Sequence, residues 1–183
     1  MAKYSIEFNS KSLYRKVNIK VTIPSLGLKG SMTNPSDYYQ NNNKTYPLII
    51  FLGGFGDDNN AWQTNTSIDR YLEENEYAAV YINGENKWYL NYGPLDNYYD
   101  FIENDVLDFL YGHFKNLSKN KPLIIAGVSM GGYGAMHHYL KNLDKKLLTF
   151  DMILYIIELA SSGGNFNAST NAALWCNESK EST

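Results

Sequence analysis

One pentapeptide constrains the fold of this chain more than any other segment: residues 127–131 read Gly-Val-Ser-Met-Gly. An apolar run at residues 122–126 precedes it, and a helical pattern follows it. A serine at such a strand-to-helix turn is typical of a nucleophile elbow, which raises its hydroxyl above the edge of a sheet. Glycines are needed at Gly127 and Gly131 because a Cβ there would strike the neighbouring backbone. The pattern therefore predicts a strained Ser129 and the chemistry of acyl transfer.

Short runs that are apolar on both faces predict parallel strands covered by helices on both sides. There are four of them, Leu48–Leu52, Ala78–Ile82, Leu123–Val128 and Met152–Leu159. Alternating residues in Lys3–Phe8 and Arg15–Ile23 predict an antiparallel hairpin before the parallel strands. The order of these patterns predicts an α/β fold with a mostly parallel sheet and right-handed crossovers.

The segments between the runs predict crossover helices and one loop. One helix is expected after Thr66, and a second is expected from apolar residues at helical spacing, Ile102, Val106, Phe109 and Leu110. In the helix after Ser129, the residues expected to face the core are Met136, Leu140 and Leu143. The polar stretch from Asn34 to Tyr46 is predicted to be a surface loop.

Composition and charge narrow the class of protein. A chain that is 44% hydrophobic and 19% charged fits one globular domain over residues 1–183. The formal net charge of −3 provides no basic field, so nucleic acid is not expected as a partner. The first eight residues do not resemble a signal peptide, which predicts a cytoplasmic protein. No membrane span is expected, since the most apolar stretch, Met152–Ala160, is too short and includes Glu158.

Two glycine-rich segments, residues 53–56 and residues 131–134, matter for the chemistry of Ser129. The N–H of Met130 and an N–H from the loop after an early strand are expected to form an oxyanion hole, with Phe55 as the second donor and Gly54 beside it. A phosphate site is the alternative for such segments, but neither ends in Lys-Ser or Lys-Thr or has the full dinucleotide fingerprint. No cofactor is therefore expected.

The base that such a serine requires is missing from the expected positions. In the order typical of these enzymes, an acid and then a histidine follow the serine. The three histidines are His113, His137 and His138. His138 is predicted on the solvent side of its helix, His137 on a flank, and His113 at a helix end, so none is expected to reach Ser129. Their spacing predicts no metal site either.

Three ordered motifs resemble the esterase D family of α/β hydrolases, most closely its bacterial tributyrin-esterase branch. They occupy residues 48–62, 83–92 and 127–135. The resemblance implies an α/β-hydrolase fold and a carboxylesterase that acts on short acyl esters, acylated carbohydrate and S-formylglutathione among them. It implies Ser129 as nucleophile and the Phe55 and Met130 amides as oxyanion hole. Trp88 and Tyr89 are candidate residues of the substrate pocket. Gly53 departs from the family, which usually has the histidine of a His-Gly motif there.

The end of the chain also departs from the family. Residues 153–165 look like the strand and turn after the nucleophile helix, beyond which the family carries its catalytic Asp and His; neither is identified in this chain. The expectation is an incomplete domain, truncated after that strand, with an irregular tail at residues 166–183. A truncated or frameshifted product is favoured over a stable pseudo-hydrolase or a base borrowed from another chain. An open sheet edge would then favour self-association. A carbohydrate-binding module without catalysis, which would use exposed aromatic residues such as Trp88, Tyr89 and Tyr92, is the alternative function.

Overall fold

A computed structural model describes residues 1–26, 34–41 and 43–142 of the chain. In that part, five strands form one sheet in the order β1-β2-β4-β3-β5. The strands are β1 (Ala2–Ser10), β2 (Arg15–Ile23), β3 (Leu48–Leu52), β4 (Ala78–Ile82) and β5 (Leu123–Gly127). The predicted hairpin and three of the predicted parallel strands are thereby confirmed. The fourth predicted strand, Met152–Leu159, and the predicted tail lie outside the described residues.

The sheet contains both antiparallel and parallel strand pairs. β1 and β2 pair antiparallel, as do β2 and β4, whereas β3 pairs parallel with both β4 and β5. Every residue of β3 and β4 is buried, which explains their continuous apolar sequences. Because β3 and β5 run parallel in register, Leu52 is paired with Gly127. The loops that follow these two strands therefore leave the sheet side by side.

Helices connect the strands and cover the sheet. They are α1 (Pro35–Asn41), α2 (Ala61–Asn65), α3 (Ile68–Asn75), α4 (Tyr98–Asp100), α5 (Leu107–His113) and α6 (Met130–Lys141), with a π-helical segment (Phe101–Val106) between α4 and α5. The helices predicted after Thr66 and around residues 102–110 are confirmed. The loop predicted from Asn34 to Tyr46 is wrong in part, because α1 lies inside it. Asn34 Oδ1 accepts a hydrogen bond from the N–H of Ser36 at 3.0 Å and supports the start of α1.

The predicted core face of α6 is wrong in part. Met136 is partly buried and packs against the core, as predicted. Leu140 is 58% exposed, whereas His138 is completely buried. The buried face is formed mainly by small residues, Gly131, Gly134 and Ala135 among them. Gly131 lies against the backbone at the end of β3, and Gly134 lies against the ring of Tyr89, too closely for larger side chains. The prediction failed at Leu140 because it assigned the core face to the largest apolar residues. Leu143, the third residue of the predicted face, lies outside the described residues.

Candidate active site

Ser129 lies between the end of β5 and the start of α6, at the sheet edge where the parallel strands end. Its backbone has φ 54° and ψ −116°, a conformation that costs free energy for any residue except glycine. Its side chain is exposed, and its carbonyl oxygen accepts a hydrogen bond from the N–H of Tyr133 at 3.1 Å. This geometry is that of a nucleophile elbow.

Close backbone contacts explain the glycines around the elbow. A Cβ added to Gly127 would lie 2.1 Å from the carbonyl carbon of Gly131. A Cβ on Gly131 would lie 2.3 Å from the carbonyl oxygen of Leu52, at the end of β3. The two glycines thus allow the turn to fold on itself and α6 to approach the neighbouring strand.

The loop after β3 lies beside the serine. The ideal Cβ position of Gly54 is 3.6 Å from the Cβ of Ser129. Gly54 begins a tight turn in which its carbonyl oxygen accepts a hydrogen bond from the N–H of Asp57 at 3.2 Å. The side chain of Phe55, the next residue, is 66% exposed. Met130 is the first residue of α6, so its N–H has no acceptor within the helix and is available to an oxyanion. Phe55 and Met130 remain the predicted oxyanion donors.

The two aromatic residues predicted for the substrate pocket have different surroundings. Trp88 is 42% exposed, and its ring packs edge to face on Tyr133 with 5.6 Å between ring centroids. Tyr89 is not the exposed aromatic residue that the sequence suggested: it is fully buried, and its hydroxyl donates to the carbonyl oxygen of Gly53 at 2.9 Å. The sequence analysis identified neither Tyr133 as part of the site nor the hydrogen bond by which Tyr89 supports the loop after β3. The placement of Tyr133 one turn after Ser129 is a signal that could have identified it.

The histidines lie away from the serine in three different settings. His138 is buried and its Nδ1 donates to Glu103 Oε1 at 2.8 Å, which corrects its predicted solvent position. His113, at the end of α5 as predicted, stacks on Phe109 with 4.2 Å between centroids. His137 lies eight residues after Ser129 along α6, about 12 Å at the helical rise per residue. Burial, and secondarily Lys141, lowers the pKa of His137 below its usual value.

The described part of the chain contains neither a metal site nor a membrane-spanning helix. None of its groups of His, Cys, Asp and Glu side chains could hold a metal ion. None of its helices is long and apolar enough to cross a membrane.

Several known proteins are similar to this chain. An acetyl esterase from Caldicellulosiruptor saccharolyticus is 26% identical over 144 residues, which are 77% of this chain and 52% of that protein. Among solved structures, the fluorophosphonate-binding serine hydrolase FphF of Staphylococcus aureus is 31% identical with a TM-score of 0.65, over 80% of this chain and 54% of that one. The S-formylglutathione hydrolase FrmB of Staphylococcus aureus is 25% identical with a TM-score of 0.63, over 98% of this chain and 75% of that one.

The chain has the α/β-hydrolase fold of these serine hydrolases. It spans about half the length of the acetyl esterase and of FphF. A sequence model of the family described as "Putative esterase" matches residues 27–146, which include both the glycine-rich loop and Ser129. Since that match spans more than half of the chain, the chain belongs to this esterase family.

Proposed function

We propose that this chain carries the nucleophile and the oxyanion hole of a serine carboxylesterase for short acyl esters, of the tributyrin-esterase branch of the esterase D family. The observation that carries the proposal is the strained, exposed Ser129 at a strand-to-helix turn, with Gly54 packed beside it. The acetyl esterase and the S-formylglutathione hydrolase, both similar to this chain, support ester or thioester substrates.

In the proposed reaction, Ser129 Oγ attacks the carbonyl carbon of the ester while its proton is transferred to a base. The carbonyl oxygen becomes an oxyanion that accepts hydrogen bonds from the N–H groups of Phe55 and Met130. Collapse of the tetrahedral intermediate expels the alcohol, which takes up a proton, and leaves an acyl-serine. Water then attacks the acyl carbon and releases the acid.

The rate of ester hydrolysis expected of this chain is limited by the catalytic base, because none of its three histidines lies beside Ser129. His138 is bonded to Glu103, His113 stacks on Phe109 within α5, and His137 lies about two turns from Ser129. We therefore propose weak turnover. Serine hydrolases without their triad partners still keep about a thousandfold advantage over water, through binding and the oxyanion hole.

A second function is a carbohydrate-binding module without catalysis. The observation in its favour is the exposure of Trp88 and Tyr92, since exposed aromatic rings can stack on sugars. Acylated carbohydrate would join the two functions, with Trp88 against the sugar and Ser129 at the ester. Self-association through an exposed sheet edge and a cytoplasmic location remain predictions.

Hydrolysis of p-nitrophenyl acetate by the wild-type chain and by Ser129→Ala tests the proposal. We expect slow turnover above the buffer rate that the substitution abolishes. Turnover that persists in Ser129→Ala would contradict the proposal. Binding of an acetylated oligosaccharide by both proteins, without turnover by either, would favour the binding module.

A further inference from the structure

Tyr89 connects three parts of the site although it is fully buried. Its hydroxyl donates to the carbonyl oxygen of Gly53, and burial raises its pKa far above the usual value, so the hydroxyl keeps its proton. Its ring fills the space that glycines leave on two elements. A Cβ on Gly134 of α6 would lie 2.5 Å from the ring, and a Cβ on Gly84, after β4, would lie 2.4 Å from it. Tyr89 thus packs against α6, and its hydroxyl holds the loop that follows β3.

Asp57 holds the same loop from its other side. Its Oδ2 accepts a hydrogen bond from the N–H of Gly54 at 2.7 Å, and its own N–H donates to the carbonyl oxygen of Gly54 at 3.2 Å. The peptide group between Gly53 and Gly54 is therefore bonded at both ends, by Tyr89 and by Asp57. In the next peptide group, between Gly54 and Phe55, the carbonyl oxygen of Gly54 accepts the hydrogen bond from the N–H of Asp57.

These bonds determine where the Phe55 N–H points. In a trans peptide group the N–H is directed opposite to the carbonyl. With the Gly54 carbonyl turned toward Asp57, the Phe55 N–H points away from the turn. It donates to no group among the described residues.

We propose that Tyr89 and Asp57 are positioning residues that together fix the Phe55 amide for the oxyanion; this inference rests on the proposed function. A preorganised donor needs no reorganisation when charge develops on the substrate. Loss of either hydrogen bond leaves Ser129 and both donors present but lets the loop shift. A shift of about 1 Å in such a group can cost about a hundredfold in rate.

Tyr89→Phe tests the role of the hydroxyl, because it keeps the ring that fills the space beside Gly84 and Gly134. Tyr81→Phe is the matched control. Tyr81 is also fully buried, and its hydroxyl donates to Asp69 Oδ1 at 3.2 Å, in the core cluster on the other side of the sheet. Each variant loses a hydroxyl that donates a hydrogen bond, buried for Tyr89 and partly buried for Tyr81, so we expect both to lower the melting temperature.

The readout is the rate at which a fluorophosphonate modifies Ser129, measured by intact mass where both variants are folded. We expect Tyr89→Phe to slow the reaction about tenfold or more, and Tyr81→Phe to leave it within about twofold of wild type. Asp57→Ala should slow it similarly, whereas Asp57→Asn, which keeps an acceptor oxygen, should recover most of the rate. Equal rates for Tyr89→Phe and wild type, or equal losses in both tyrosine variants, would overturn the proposal.

Amide hydrogen exchange separates this proposal from the proposed function. A wild-type chain that takes up no fluorophosphonate would contradict Ser129 as nucleophile, yet the hydrogen bonds of the loop can still be measured. We expect the Gly54 N–H to exchange faster in Tyr89→Phe than in Tyr81→Phe. Equal protection of Gly54 in both variants would overturn the positioning role.

Discussion

Gly131 and Leu52 approach so closely that a Cβ on the glycine would lie 2.3 Å from the leucine carbonyl oxygen. Both atoms nearest to that Cβ belong to backbone, the second being the carbonyl oxygen of Gly53 at 2.7 Å. Neither can move away as the end of a flexible side chain could. The contact joins the first turn of α6 to the end of β3, and so places Ser129 beside the loop that follows β3.

Gly131→Ala should therefore destabilise the protein by about 3 kcal/mol, since the added methyl group overpacks a backbone contact. Gly112→Ala is the control, because Gly112 lies in α5 with nothing within 4 Å of its Cβ position. That substitution should stabilise the protein by about 0.5–1 kcal/mol. Urea denaturation measures both effects, and a Gly131→Ala variant as stable as wild type would show that the contact is looser than described.

Replacement of Ser129 by glycine should stabilise the protein. The serine has φ 54° and ψ −116°, and only glycine adopts such a conformation without strain. Ser129→Gly should be more stable than Ser129→Ala by about 1 kcal/mol, because alanine keeps the strain. Chemical denaturation of the two variants side by side tests this, and a less stable glycine variant would argue against strain at the elbow.

His138→Ala should destabilise the protein by about 3 kcal/mol, because it removes a fully buried ring together with its hydrogen bond to the Glu103 carboxylate. His113→Ala serves as control, since His113 is exposed at the end of α5, and it should cost less than about 1 kcal/mol. Equal losses of stability in the two variants would mean that the His138–Glu103 pair contributes nothing of its own.

The pKa of His137 should lie below 6.5, since burial and the charge of Lys141 disfavour its protonated form. Near and below pH 6.5, the unfolded chain therefore binds more protons than the folded chain does. The contribution of His137 to stability is complete above that pH. It is lost as the pH falls through the lower folded pKa. Titration of the imidazole by NMR measures this pKa, and Lys141→Gln should raise it. A pKa above 6.5 would contradict the burial of the ring.

Much of the fold and the elbow could be predicted from the sequence because their signals are local. Continuous apolar runs gave the positions of β3, β4 and β5, and the glycines at 127 and 131 indicated the turn at Ser129. The buried face of α6 could not be predicted in the same way. Its closest contacts are made by Gly131 and Gly134, and a glycine carries no hydrophobic signal that would indicate the core. Burial of His138 depends on Glu103, which lies 35 residues earlier in the chain.

The role of Tyr89 was also beyond the sequence pattern. The sequence makes Tyr89 a candidate for the substrate pocket, but it does not indicate that the Tyr89 hydroxyl donates to Gly53 from a fully buried position. Such a contact depends on how two distant loops leave the same edge of the sheet. Periodicity within either loop does not report it.

The most direct test of Ser129 as a nucleophile is intact-mass analysis of the purified chain after exposure to excess fluorophosphonate, beside Ser129→Ala and His137→Gln. We expect one adduct per chain, formed slowly, absent from Ser129→Ala and formed at an unchanged rate in His137→Gln. A wild-type chain that takes up no reagent, or an adduct that persists in Ser129→Ala, would contradict the assignment of Ser129 as the nucleophile.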